Sequence, residues 1–239
     1  MTYDMSVLEK GCENLGISLD ENQKKQFIKF YEYLVEKNKV MNLTGITEFQ
    51  EVLVKHFLDS LASVKAVDLT KVKKVMDIGT GAGFPGVPLK IAFPHLEECL
   101  LDSLKKRVTF LEETFTLLGF DKITAIHGRA EEFAKNKAYR EQYDLCVSRA
   151  VSNLSTLSEY CLPYVKKGGV FISYKSGKVQ EEAEGAKRAI KLLGGEIKDI
   201  CYFTLPDSEI ERSLVVIEKV KNTPGKYPRK SGTPLKKPL

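Results

Sequence analysis

The run Val75-Met-Asp-Ile-Gly-Thr-Gly-Ala-Gly-Phe-Pro-Gly constrains this chain more than any other feature. A short apolar stretch gives way to glycines at alternate positions, then to a proline and a helix-forming segment. Glycine enters left-handed backbone without a Cβ clash and lets the main chain approach a ligand closely. The helix that follows offers unpaired N–H groups and a partial positive charge in its first turn. Pro85 suits that turn, where its missing N–H is not needed. Such glycines at a strand end are costly without a use. The segment therefore predicts strand, ligand-binding loop and helix.

The flanking pattern extends this unit. Val75-Met-Asp-Ile, Cys99-Leu-Leu, Ile123-Thr-Ala-Ile, Leu145-Cys-Val and Val170-Phe-Ile-Ser-Tyr are short β-like runs separated by helical segments. Residues 104–118 place Leu104, Val108, Leu111, Phe115 and Leu118 on one helical face, and residues 178–193 are amphipathic. Strands alternating with helices predict an α/β fold with a mainly parallel sheet covered on both faces. Ile200-Cys-Tyr-Phe-Thr-Leu and Ser213-Leu-Val-Val-Ile are joined by a break too short for a parallel crossover, so this last pair is predicted antiparallel. Before the glycine run, Phe27, Phe30/Tyr31 and Leu34, opened by Asp20, carry helical spacing, as do Phe49, Val52/Leu53, His56/Phe57 and Ser60/Leu61. After the last strand, prolines and glycines predict neither helix nor central strand. The expected division is a helical region over 1–70, the α/β domain over 71–220 and a tail over 221–239.

Hydrophobic residues make up 43% of the 239 positions and charged ones 29%, an ordinary globular composition. No apolar run reaches the ~18 residues of a membrane span, and the first ten residues lack a signal peptide's apolar core. The five cysteines are scattered, with no CxxC pair. They predict reduced core residues, no metal site and a cytoplasmic protein. The net charge of +5 is concentrated at the end: six of the basic residues and no acid lie in 221–239. Such a segment commonly meets nucleic acid or an anionic surface, although a solubilising tail has the same composition.

Two ligands compete for the glycine loop. Gly81-x-Gly83-x-x-Gly86 satisfies the dinucleotide fingerprint, with Asp102 about 20 residues on, where a ribose-binding acid belongs. Three features favour S-adenosylmethionine. The spacing Asp77-x-Gly79-x-Gly81-x-Gly83 resembles motif I of Rossmann-like (class I) methyltransferases, and a carboxylate there suits an ammonium and repels a pyrophosphate. Asp102 can accept bonds from both ribose hydroxyls. The terminal antiparallel pair resembles the methyltransferase sheet. Gly128-Arg-Ala-Glu-Glu and Val147-Ser-Arg-Ala follow the third and fourth strands, at the edge where such folds bind ligands. Neither Asn-Pro-Pro-Tyr nor a Pro-Cys pair follows the fourth strand, which argues against exocyclic-amine chemistry and cysteine attack on a base.

Taken together, these residues resemble the RsmG (GidB) family of bacterial 16S rRNA guanine-N7 methyltransferases. The matching pieces are Asn42-Leu-Thr; Lys55-His-Phe-Leu-Asp-Ser-Leu; Asp77-Ile-Gly-Thr-Gly-Ala-Gly-Phe-Pro-Gly-Val-Pro-Leu-Lys-Ile; Asp102-Ser-Leu-Lys-Lys-Arg; His127-Gly-Arg-Ala-Glu-Glu; Val147-Ser-Arg-Ala; and Tyr227-Pro-Arg-Lys-Ser-Gly-Thr-Pro. The resemblance implies a seven-stranded class I methyltransferase fold, with donor contacts at Gly79, Phe84, Ala130, Glu131 and Arg149 beside Asp77, Gly81, Gly83 and Asp102. It also implies a tail that folds near the cleft. The fifth strand departs from the Lys-Gly of many relatives, reading Lys175-Ser-Gly.

Guanine N7 is an unprotonated lone-pair acceptor on the major-groove edge. Its methylation is an in-line displacement that needs no general base, so rate comes from alignment and exclusion of water. Arg149 is the expected orienting residue, with Arg129, Arg229 and Lys230 handling RNA. His56 and Asp59, on one helical face, are expected to brace the N-terminal helices against the main domain, and His127 to pack. The expected partner is 16S rRNA or the small subunit, with no membrane and no protein partner evident. A small-molecule methyltransferase, a non-catalytic rRNA-binding assembly factor and an NAD oxidoreductase are the alternatives.

Overall fold

Seven strands form one sheet in the computed structural model, which describes residues 3–239. They are β1 (Lys74–Ile78), β2 (Glu97–Asp102), β3 (Ile123–His127), β4 (Tyr143–Arg149), β5 (Val165–Ser176), β6 (Gly195–Thr204) and β7 (Glu211–Lys219). Their spatial order is β3-β2-β1-β4-β5-β7-β6. β1 to β5 run parallel, and β7 lies antiparallel to both β5 and β6, as the short break predicted. The chain thus winds one way through β1, β2 and β3 and the other way through β4 and β5. The switch point between β1 and β4 opens a crevice at their carboxyl ends.

Residues alternate between two buried layers with the period of a strand. Val75, Leu100, Leu145 and Val147 face one core; Met76, Cys99, Leu101 and Cys146 face the other. The first core is shared with the N-terminal helices. Helix α1 (Ser6–Asn14) precedes α2 (Glu21–Met41), which buries Phe27, Phe30 and Leu34. Asp20 starts α2 through a capping box: its side chain accepts from Gln23 N (2.8 Å), while Gln23 Oε1 accepts from Asp20 N (2.8 Å). Gln23 Nε2 also donates to Ile91 O (2.8 Å), tying α2 to α5 (Gly86–Ala92).

The next helical run differs from expectation. Between α3 (Phe49–Val52) and α4 (Asp59–Leu61), residues Leu53–Leu58 wind as a π-helix. Such wider turns recur at functional sites, and this one carries Lys55 and His56.

α6 (Lys105–Leu118) covers the first core, but Leu104 caps it from outside in extended backbone and is 44% exposed. The predicted apolar face therefore begins at Val108. Helices α7 (Ala130–Phe133), α8 (Leu154–Cys161) and α9 (Gln180–Leu192) cover the opposite layer. Four cysteines are buried and Cys201 is half-buried, all free thiols. His127 ends edge strand β3 and is exposed, so it does not pack as expected. Among the described residues, no helix is long and apolar enough to cross a membrane.

The tail folds near the cleft, as the resemblance implied, but contrary to expectation it contains a helical turn. It folds onto α7 and α8, buries Tyr227 and Pro234, and forms the short helix α10 (Thr233–Lys236). Pro at the start of that helix is compatible with helical geometry. Arg140 gathers the chain by donating to Thr223 O (2.7 Å) and Tyr227 O (3.0 Å).

Candidate active site

The loop after β1 has the backbone its glycines predicted. Gly79, Gly81 and Gly83 have φ of 71°, 64° and 91°, a region that disfavours any residue with a Cβ. Each meets a different demand. A Cβ on Gly79 would lie 2.5 Å from Val151 Cγ2, and one on Gly83 would lie 2.5 Å from Val87 Cγ2. A Cβ on Gly81 would meet nothing within 4 Å. The space before Gly81 is open, as a ligand requires.

Two buried carboxylates hold this loop. Asp77 Oδ2 accepts from Gly86 N (3.0 Å), closing the loop onto the start of α5. Asp77 Oδ1 and Thr80 Oγ1 are buried with no hydrogen-bond partner among the described residues. Burial pushes the Asp77 carboxyl up to about 7, against the pull of the nearby Thr80 hydroxyl, the Gly86 N–H and the Arg149 charge. Because its folded value lies above the unfolded one of 3.8, Asp77 favours the free fold below about pH 4. That contribution is lost as pH rises through about 7. Asp102, at the end of β2, accepts from Gly81 N (3.0 Å) and Leu104 N (2.9 Å) and pairs with Arg107 (3.3 Å).

A cavity of about 270 Å³ lies between these strand ends, lined by Gly79, Asp102, Arg107, Ala130, Glu131 and Tyr160. A larger one, about 550 Å³, opens between the start of α9 and β6–β7. The smaller cavity adjoins the glycine loop at the topological switch point and carries the buried acid Asp102, so it is the candidate ligand site. Arg129 stands exposed at its rim as the residue before α7. Glu131 lines the cavity, but its Oε1 also accepts from Gly232 N (2.8 Å), so the tail reaches the cleft's edge.

Arg149, the last residue of β4, is held from several sides. Its Nη1 donates to Asp59 Oδ2 (2.9 Å) and Lys55 O (3.5 Å); its Nη2 lies 3.4 Å from His56 Nδ1. Its guanidinium stands 5.0 Å from the Phe84 ring centroid, a cation–π distance. Phe84 is 6% exposed and is also covered by His56 (centroids 4.4 Å apart) and Phe30 (5.4 Å). Its ring thus braces Arg149, and its main chain is the part left beside the loop.

His56 and Asp59 do brace the N-terminal helices against the sheet. Asp59, 4% exposed, bridges Arg149 to Arg212 Nε (3.2 Å) on β7. Arg212 carries no sequence signal, because it meets Asp59 only through the antiparallel return of β7. Lys175 also gains a role: it donates to Ser152 O (2.9 Å) and Glu182 (2.7 Å), while Glu182 accepts from Leu154 N (2.6 Å). Together they pin the β4–α8 loop, where Ala150 sits at φ 57°.

The other RNA-facing candidates separate. Arg229 does not point into open cleft. It makes a forked pair with Glu159, whose side chain is fully buried, at 2.6 to 3.0 Å. Lys230 beside it is exposed.

Known proteins match this chain in sequence and in fold. A family model described as rRNA small subunit methyltransferase G (GidB) matches residues 23–213. A relative from Lachnoclostridium phytofermentans, named Ribosomal RNA small subunit methyltransferase G, is 52% identical over 99% of this chain and 98% of its own length. A relative of the same name from Listeria monocytogenes is 49% identical over 99% of this chain and 98% of its own. Among solved structures, a ribosomal protein L11 methylase from Lactobacillus delbrueckii aligns at TM-score 0.51 and 16% identity, over 70% of this chain and 79% of that one. The StiE O-MT aligns at 0.53 and 16%, over 69% of this chain and 74% of that one. At that identity the structural likeness concerns the fold, a Rossmann-like methyltransferase fold. The family match and the near full-length identity reach further: this chain belongs to the rRNA small subunit methyltransferase G family.

Proposed function

We propose that this chain transfers a methyl group from S-adenosylmethionine to N7 of a guanine in 16S rRNA. The observation that carries the reading is a family match over residues 23–213 that includes an open glycine loop between two buried carboxylates. The donor supplies an electrophilic methyl. Asp77 meets its ammonium with the unpartnered Oδ1, Asp102 takes the ribose, and Gly79, Gly81 and Gly83 let the main chain approach. Ala130 and Glu131 flank the adenine. Phe84 acts through its main chain, and Arg149 orients the reacting groups. Arg129 and Lys230 meet RNA phosphates, and Arg229 anchors the segment that presents Lys230. In this reading the N-terminal helices (1–70) and the tail (221–239) are accessory to the 71–220 domain, and the protein works in the cytoplasm on rRNA or the small subunit.

Asp77 makes donor binding pH-dependent. Only its ionised form attracts an ammonium, so binding expels a proton below the free carboxyl's value of about 7. Donor affinity is expected to fall about tenfold per pH unit below that point and to level off above it. Calorimetric titration from pH 5.5 to 8.5 checks this. Asp77→Asn is expected to flatten the profile.

The reaction itself is tested with labelled donor, unmodified small subunits and naked small-subunit rRNA, followed by borohydride–aniline cleavage, which cuts at N7-methylguanine. One new cut is expected. Label without a cut moves the methyl to another atom. No label, with donor binding intact, favours a binding factor or a small-molecule substrate.

A further inference from the structure

Two motifs have no part yet in donor binding: Asn42-Leu-Thr, and the Lys55-His-Phe-Leu-Asp segment on the π-helical turn. They meet at one ring. His56 Nε2 lies 2.8 Å from Thr44 Oγ1, and its Nδ1 lies 3.4 Å from Arg149 Nη2. Thr44 is itself placed by Asn38, whose Oδ1 accepts from Leu43 N (2.6 Å) and Thr44 N (2.9 Å) and whose Nδ2 donates to Thr44 O (2.9 Å).

Arginine only donates, so His56 Nδ1 must present its lone pair and Nε2 must carry the proton, donated to Thr44. Burial and the Arg149 charge hold the ring's proton affinity far below its ordinary value, at about 3, so the imidazole is neutral throughout the working range. The charged groups around it are Arg149 and Asp59, with Arg212 behind Asp59 and the Lys55 carbonyl beside Arg149. Three of the five guanidinium N–H groups are taken up by Asp59, Lys55 O and His56.

We infer that His56 is a positioning residue that fixes the Arg149 guanidinium against Phe84 of the glycine loop, with Thr44 and Phe84 fixing His56 in turn. The inference rests on the functional reading above only for its rate readout. Asp59 and Lys55 O both hold Nη1 and leave the guanidinium room to swing about that nitrogen in the plane above Phe84. The His56 lone pair, on the second nitrogen, removes that swing.

The test compares His56→Asn, His56→Gln and His56→Leu with the wild type for kcat at saturating donor, KM for rRNA, donor Kd and Tm. Asn puts an acceptor near the Nδ1 position; Gln reaches toward Thr44 but leaves Arg149 without an acceptor. Misplacement of an orienting group costs up to about 100-fold. His56→Gln and His56→Leu are expected to lose about 10- to 100-fold in kcat with donor Kd unchanged, while His56→Asn stays within a few-fold of wild type. Thr44→Val, which touches only the far nitrogen, is expected to fall between. Equal losses in all three His56 variants in step with a lower Tm overturn the proposal in favour of a scaffold role. An unchanged kcat in His56→Leu overturns it outright. So does an acid limb in wild-type kcat near pH 6.5 that disappears in His56→Asn, because the ring would then be titrating.

Nitrogen NMR of the free protein separates this proposal from the functional reading. At pH 7 the neutral Nε2–H tautomer is expected, with slow guanidinium rotation at Arg149 that quickens in His56→Leu. A rigid Arg149 without any rRNA labelling sinks the reading and keeps the positioning role. A freely rotating Arg149 in the wild type sinks the positioning role.

Discussion

Gly81→Asp is expected to abolish donor binding while leaving the fold intact. Gly81 lies at φ 64°, where aspartate is tolerated at a cost of about 1 kcal/mol. No protein atom lies within 4 Å of the added Cβ, so the native packing gives no reason to unfold. In the proposed donor site the new side chain enters the open space before Gly81, and its charge adds to Asp102, whose Oδ2 already accepts from Gly81 N. Loss of at least about 100-fold in donor affinity, roughly 2.8 kcal/mol, is expected by calorimetry, with Tm shifted by only a few degrees. Gly81→Ala separates steric from electrostatic effects and should lose less. Wild-type affinity in Gly81→Asp would remove this loop from the donor site.

The second large effect concerns the tail. Arg229 neutralises Glu159, a carboxylate with no exposed surface. Arg229→Met leaves that charge buried with only the Arg229 main-chain N–H to satisfy it. Breaking a buried pair from one side costs about 3–5 kcal/mol. The expected result is a tail that lifts away, rapid proteolysis in 225–235, and a Tm lower by about 6–20 °C. The double variant Glu159→Met with Arg229→Met removes both charges and should recover most of the stability, since an apolar pair of similar size replaces a buried ion pair at little cost. Loss of rRNA methylation in Arg229→Met beyond any loss of donor affinity marks the tail as part of the RNA surface. Full methylation with a cleaved tail marks it as a cover only. Truncation before Thr223 is a poorer test. Thr223 Oγ1 accepts from buried Lys219 (2.8 Å), so that cut also strips a partner from the core.

The sequence by itself determined the layered sheet, its antiparallel end and the left-handed backbone of the glycine loop. The reason is local. Alternating apolar runs specify strands, the length of a connection decides between parallel and antiparallel return, and the positive φ values within five residues of the end of β1 call for glycine. The same local logic misplaced Leu104, because periodicity reads a capping residue as a further turn, and read the π-helical turn at His56 as ordinary helix. It also read no helix in the tail, because Pro and Gly disfavour helix interiors, whereas Pro is tolerated in the first turn of the short helix that forms there.

Tertiary structure alone decided the partners of the charges. Arg229, Asp59, Lys175 and Glu131 are polar residues whose neighbours lie between 7 and 153 positions away in the chain. Composition counts them as surface. Only the fold shows that Glu159 and Asp59 are buried and must therefore be paired. That requirement turns Arg229 into an anchor, joins Arg149 to Arg212 and places His56 behind Arg149. An ion pair's worth depends on burial and geometry, and neither exists until distant segments have met.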